Sequence, residues 1–225
     1  ITVDLIYGIS QMTLEEWGYN LETALSLNIQ HISAYHLTIE DKTVFGKKQK
    51  KGHITPIDEE ESEKQFLLLR ELTAKTGFEH YDISNLAKDK KYGLHNSSYW
   101  MQQPYIGIGP SAHSYDGVQR RWNISNNIRY LQEVSRNLVF YEHEDLDLST
   151  KYNEYVLTSL RTSRGTDLTY LLKTFGPNYF SYFTTALEKQ LFTGYFIKNT
   201  GTVKIHPDFL LLTDSIISSL FYITD

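Results

Sequence analysis

The sequence predicts an α/β protein whose layered first part is followed by a small, mainly helical, winged-helix-like domain. Three observations carry this. A strand, a helix and a second strand fit inside the first 39 residues, and helix and strand recur before residue 85. An acidic stretch, Glu142 to Asp147, marks a change of composition and reads as a hinge. Beyond it come three helical segments, a hairpin signal and a closing helix. The expected division is 1–144 and 145–225.

Ile1 to Gly8 (ITVDLIYG) reads as a strand buried on both faces, whose backbone groups need partners on both edges. It starts without an initiator Met or polar lead-in, so the chain is expected to be a piece of a longer protein. Its bare edge is expected to be sticky and to pair across a dimer. Thr13-Leu14-Glu15-Glu16 forms a capping box, and Leu14, Trp17, Leu21, Ala24 and Leu25 follow at helical spacing. The segment 31–39 (HISAYHLTI) is the second strand, which predicts a parallel βαβ unit with a right-handed crossover. Lys47 to Gly52 reads as a solvated basic loop. Asp58 to Glu61 starts the next helix, with Phe66, Leu69 and Leu72 inward and Gly77 at its end, and Phe78 to Ser84 is strand-like. Patterning then fades from Asn85 to Asn123, a length of loop that is usually functional or disordered, and its aromatics argue against disorder. A helix near 127–136 places Ile128, Leu131 and Val134 on one face. In the second domain, helices near 150–163, 167–175 and 178–193 end at Gly165, Gly176 and Gly194. A hairpin turns at Asn199-Thr200-Gly201, and a last helix spans about 213–222.

Composition excludes several functions. With 22 Lys+Arg against 27 Asp+Glu the net charge is −5, which gives no support to a nucleic-acid or anionic-membrane surface. A winged helix ordinarily suggests DNA, but residues 145–225 hold 7 Lys+Arg against 8 Asp+Glu and show no basic stripe. That domain is read as structural or as a cover over the first. No apolar run approaches the roughly 18–20 residues that span a bilayer, and no signal peptide opens the chain, so a cytoplasmic protein without membrane insertion is expected. The chain has no cysteine: it offers no disulfide, no thiolate nucleophile and no thiolate ligands for zinc or an iron–sulfur cluster.

Candidate chemistry is sparse. Asp4 lies within an apolar strand, where a charge must be paired, bind metal or face a ligand. Ligands of parallel sheets gather beyond the strands' carboxyl ends, but four residues short of the loop Asp4 fits a neighbouring helix cap equally well. Gly107-Ile108-Gly109 lacks a third glycine and reads better as a strand-end turn completed by Pro110 than as a phosphate loop. Among the eight histidines no H-x-x-x-H or H-E-x-x-H pair occurs. His95 opens HNSSYW, where an imidazole is followed by an amide and large aromatics, a set able to ligate haem iron and contact a macrocycle. The alternative is a loop histidine bonded to backbone. Arg120 and Arg121 are available for carboxylate side groups.

VDLIYG (3–8), HISAYHLTIE (31–40), GFEHYDISNLA (77–87), HNSSYW (95–100), YIGIGPSAHSY (105–115) and RRWN (120–123) occur in that order. Together they resemble the later part of the oxygen-independent coproporphyrinogen III oxidase-like family of radical S-adenosylmethionine (SAM) proteins. The HNxxYW pattern resembles its HemW-like haem-chaperone branch more than its oxidase (HemN) branch. LRTSRGTDL (160–168) and LLLTD (210–214) resemble that family's C-terminal domain. The resemblance implies the C-terminal part of a partial (β/α)6, TIM-like radical SAM barrel, then the small domain. It implies SAM, a [4Fe-4S] cluster with cysteine ligands outside this chain, and haem. Asp4, by resemblance, contacts the SAM ribose, while Ile6, Thr38 and His113 line the nucleoside. His95 is the haem-motif histidine and candidate iron ligand, with Asn96, Tyr99 and Trp100 beside it. No residue here is expected to be catalytic, and the fragment alone is expected to be inactive. The implied function is haem delivery to acceptor proteins. The alternatives are oxidative decarboxylation of coproporphyrinogen III to protoporphyrinogen IX, or a winged-helix binding module. One departure stands out: where the family commonly has GLPxQT, this chain has Gly8-Ile9-Ser10-Gln11-Met12-Thr13, which puts the polar contact of the usual Gln in doubt.

Overall fold

The computed structural model describes residues 1–55 and 58–223. The chain folds as two compact units, 1–93 and 94–225, with the acidic 142–147 stretch inside the second.

The first unit contains β1 (Thr2–Tyr7), α1 (Leu14–Ser26), β2 (His31–His36), α2 (Val44–Lys50), α3 (Glu59–Lys75), β3 (Glu79–Asp82) and β4 (Asn85–Ala87). β1 and β2 pair in parallel from Thr2↔His31 to Tyr7↔His36, as the strand–helix–strand pattern predicts. The full sheet order is β1-β2-β4-β3, with β4 antiparallel to both neighbours. The single strand expected over 78–84 is therefore a tight hairpin. Asp82 makes it, its carboxylate accepting from the Ser84 amide at 3.0 Å and from the Asn85 side chain at 2.9 and 3.1 Å.

The capping box of α1 forms as predicted. Trp17, Leu21 and Ala24 of α1 pack with Phe66 and Leu69 of α3 into the unit's core, joined by Ile32, Ala34 and Leu86 from the sheet. β1 departs from expectation: Val3, Leu5 and Tyr7 are covered to varying degree, whereas Thr2, Asp4 and Ile6 are exposed. Its pattern is one-sided because the described residues lay helices over one face only. Most of the basic 47–52 stretch is helix rather than loop, with Lys51 and Gly52 in the turn after it. Thr43 caps α2 there, accepting from the Gly46 amide at 3.0 Å, and Lys47, Lys48 and Lys50 sit in its last turn, where the helix dipole favours cations.

Gln65 ties these elements together. This fully buried side chain accepts from the Gly8 amide at 2.9 Å and donates to the Met12 carbonyl at 3.0 Å, while its own carbonyl receives the Trp17 indole N–H at 2.8 Å. The loop after β1 is thus held by a side-chain amide from α3. Gly8 has φ 76°, and a Cβ there would lie 2.5 Å from the His36 ring, so glycine is required.

The second unit opens with α4 (Leu94–Trp100), β5 (His113–Tyr115), β6 (Gln119–Asn123), α5 (Asn127–Ser135) and β7 (Tyr141–Asp145). Regular structure therefore runs through the 85–123 stretch that shows little patterning, and the HNSSYW motif is helical. The acidic hinge is mostly β7, whose Glu142 and Glu144 pair across from Trp122 and Arg120 of β6. The Ile128, Leu131 and Val134 face of α5 is exposed.

The unit continues with α6 (Leu148–Leu160), β8 (Thr166–Asp167), α7 (Leu168–Glu188), β9 (Phe196–Asn199), β10 (Thr202–Ile205) and α8 (Thr213–Ser218), with 3-10 turns at Leu191–Thr193 and Pro207–Leu212. α7 is two helices meeting at Gly176, as the glycine predicts, and the hairpin turns over 199–201. The last helix ends at Ser218, short of the expected 222. The chain beyond it is held instead by side chains: Tyr152 donates to the Leu220 carbonyl at 3.1 Å, and Asn153 bonds both backbone groups of Tyr222 at 2.7 and 3.0 Å. Tyr152, Val156, Leu160, Leu171, Phe183 and Leu187 fill the core between α6 and α7.

Two predictions follow from the packing of the first unit. Gln65→Leu leaves the buried Gly8 N–H without an acceptor and should cost about 1–3 kcal/mol in urea denaturation. The second concerns pH. Burial depresses the His80 imidazole below its ordinary 6.5, and its Nε2 lies 2.7 Å from the Ile83 carbonyl. His31 is lowered too, burial outweighing the opposing fields of Asp82 and Asp4. Below about 6.5 the unfolded chain takes up protons that the folded chain refuses, so thermal stability should fall as pH drops and level off above about 7. His80→Gln, which keeps a donor for Ile83, should flatten part of that slope.

Candidate functional site

The sequence-predicted residues fall on two surfaces, one in each unit. In the first, Asp4 and Ile6 stand on the open face of β1, beside Ser33 and Tyr35 of β2. Asp4 is exposed and, among the described residues, accepts no hydrogen bond and makes no ion pair, so it is not engaged in a helix cap. Thr38 is exposed just beyond β2. The fourth nucleoside candidate, His113, belongs to the second unit, where its exposed ring lies 6.3 Å from that of Trp122.

In the second unit the helix brings His95 and Tyr99 together, one turn apart, with ring centroids 4.9 Å apart edge to face. His95 is exposed, and neither ring nitrogen has a hydrogen-bond partner among the described residues. It is thus not the backbone-bonded loop histidine of the alternative reading. Asn96 is half-buried on the same helix. Trp100 turns elsewhere: the Arg161 guanidinium stands 5.7 Å from its ring, and Arg161 is itself paired with Asp214. The motif's tryptophan packs toward α6, while its histidine and tyrosine present their rings outward.

The tyrosines at the two ends of the 105–115 stretch extend this surface. Tyr99 meets Tyr105 at 4.7 Å, and Tyr105 meets Tyr115 at 6.2 Å across an isolated bridge whose backbone bonds are 2.8 and 2.9 Å. Beside the last two, Arg120 donates to Glu154 at 2.6 Å and to Glu144 at 3.3 Å. Burial opposes the Arg120 charge, but the Glu154 bond and the two carboxylate fields outweigh it, and the guanidinium's pKa rises. Burial likewise raises the Tyr105 and Tyr115 phenols, keeping them neutral. Arg120 is therefore not available for a ligand's carboxylates, contrary to the sequence expectation. The signals for this cluster were the Tyr-rich composition and the His–x3–Tyr spacing, neither of which names Glu154.

The two-glycine stretch is structural. A Cβ on Gly107 would lie 2.0 Å from the His113 carbonyl, so the loop needs glycine to approach β5, and buried Asn123 donates to the Gly107 and Gly109 carbonyls at 3.3 and 2.9 Å. Among the described residues no three His, Asp or Glu side chains converge to hold a metal ion, and no helix is long and apolar enough to cross a membrane.

The structure matches that of coproporphyrinogen III oxidase (HemN) from Escherichia coli, a radical SAM enzyme, with TM-score 0.79 over 98% of this chain and 54% of that one, at 16% identity. By sequence the chain is similar to proteins named haem chaperone HemW. It is 29% identical to that of Bacillus subtilis over 84% of this chain and 50% of the relative. It is 30% identical to that of Lactococcus lactis over 73% and 43%. No family model matches. The chain is thus similar in sequence to the HemW proteins and in fold to the matched part of HemN, and it spans about half the length of the curated relatives it matches.

The Arg120–Glu154 pair should stabilise the second unit measurably. Each of Arg120→Ala and Glu154→Gln should lower its stability by about 1–3 kcal/mol in urea denaturation, between the costs of breaking exposed and buried pairs. The double variant should cost less than the sum of the two.

Proposed function

We propose that this chain is the later part of a HemW-like radical SAM protein whose role is to bind haem and pass it to acceptor proteins. In this reading residues 1–144 form the C-terminal part of a partial (β/α)6 barrel, and residues 145–225 form a winged-helix-like appendage. The reading rests on one observation above others: an exposed imidazole with both nitrogens free of protein partners, set edge-on against an aromatic surface, on the HNxxYW motif. Neutral imidazole is a good axial ligand for haem iron, and flat rings cover a macrocycle. An exposed ligand suits cargo, because an acceptor can reach the iron side and compete for it. Tyr99 supplies ring contact, Asn96 lies beside it, and Trp100 anchors the helix.

The nucleoside residues are assigned on the same footing. Asp4 has a carboxylate free to accept from a ribose diol, with Ile6 and Thr38 of the same unit as apolar and polar lining. These residues fit SAM as a bound group, and SAM supplies methionine and adenosyl chemistry when bound. They do not fit the cluster. No cysteine stands in the chain, so it offers no thiolate to a [4Fe-4S] centre. The protein is proposed to work in the cytoplasm.

The test is haem titration of the full-length protein, followed by absorption spectroscopy. His95→Ala should weaken binding at least tenfold and shift the Soret band, with secondary structure unchanged. An unchanged spectrum and affinity would remove His95 as the iron ligand. Turnover of coproporphyrinogen III by the reduced, cluster-loaded protein would replace the chaperone reading with the oxidase one.

A further inference from the structure

β6 sends its two adjacent arginines to opposite faces of the β5–β6–β7 sheet. Arg120 is held by Glu154 and Glu144. Arg121 lines a cleft of about 760 Å³, together with Tyr105, Ser114, Asn123, Phe140 and Tyr141. Its Nε–H donates to the Gln119 side chain at 2.6 Å, and its guanidinium lies 5.1 Å from the Tyr141 ring centroid. No carboxylate of the described residues lies within ion-pair distance of it. The cleft's other charged residue, Asp116, has a carboxylate engaged by the Val118 and Gln119 amides at 2.9 and 2.7 Å.

A guanidinium oriented by one hydrogen bond and one ring stack keeps its terminal nitrogens for a bidentate oxyanion. Aromatic walls with few polar groups suit a flat apolar body. The cleft is also continuous with the His95 surface. Tyr105 lines it and meets Tyr99 at 4.7 Å, and Tyr99 meets His95 at 4.9 Å.

We propose that this cleft receives the carboxylate-bearing edge of a tetrapyrrole, with Arg121 as its anchor and Tyr105 and Tyr141 as ring contacts. The proposal deepens the haem reading and rests on it, but it requires no iron. The probes are therefore metal-free protoporphyrin IX and its dimethyl ester, titrated by fluorescence into the full-length protein. The diacid should bind at least tenfold more tightly than the ester. Arg121→Ala should abolish that difference, and Arg121→Lys, which keeps the charge and the fold but loses the fork, should leave an intermediate preference. Equal binding of diacid and ester by the wild-type protein overturns the proposal, as does diacid binding by both Arg121 variants at wild-type strength. If haem binds through His95 while neither porphyrin binds, the anchor fails and the haem reading survives. If the diacid preference depends on Arg121 while His95→Ala leaves the haem spectrum unchanged, the anchor stands and the iron-ligand assignment fails. If wild-type protein binds neither haem nor porphyrin, both fall.

Discussion

Side chains leave a β-strand alternately on opposite faces, and both halves of the candidate chemistry depend on that period. In β1 it buries Tyr7 under the helices and turns Asp4 and Ile6 outward. In β6 it separates Arg120, held by two glutamates, from Arg121, which faces the cleft. A shift of one residue in either register would exchange these roles, placing a carboxylate under α1 and α3 or pointing an unpaired arginine at Glu154. Register is thus the quantity that the surrounding structure must hold.

Different devices hold it in the two units. In the first, a buried amide does so: Gln65 joins α3 to the loop after β1 and, through its own carbonyl, to Trp17 of α1. Apolar packing alone is non-directional and tolerates slippage, whereas three hydrogen bonds in a dry site admit one arrangement. In the second unit the device is ionic and aromatic. Arg120 bridges β7 and α6, and the rings from His95 through Tyr99 and Tyr105 to Tyr115 continue beside it. Tyrosine suits this place because its ring packs while its hydroxyl remains polar.

Much of the fold was legible because local signals agreed with tertiary need. The Thr13 capping box, the Trp17–Leu21–Ala24 stripe, the glycine at 176 and the turn at 199–201 all behave as their residue types dictate. The misreadings share a cause. Lys47 to Lys50 form a helix because Thr43 caps it, and Glu142 to Asp145 form a strand because β6 lies opposite. Charged residues carry weak intrinsic preference for strand or loop, and a local cap decided the first case while a strand distant in sequence decided the second. The strand expected over 78–84 folds back because Asp82 reaches Ser84 and Asn85, a turn chemistry carried by one aspartate inside a strand-like segment.

By itself the sequence determined the elements with strong periodicity, the family likeness and the absence of thiolates, since each is a property of residue type and order alone. Which candidates share a surface was decided only in three dimensions. Trp100 is turned toward Arg161 while its neighbour Tyr99 opens onto Tyr105, and Arg120 is ion-paired while Arg121 has no ion-pair partner among the described residues. The reason is physical: adjacency along the chain places neighbouring side chains apart, on opposite strand faces or about 100° around a helix, and only packing brings distant ones together.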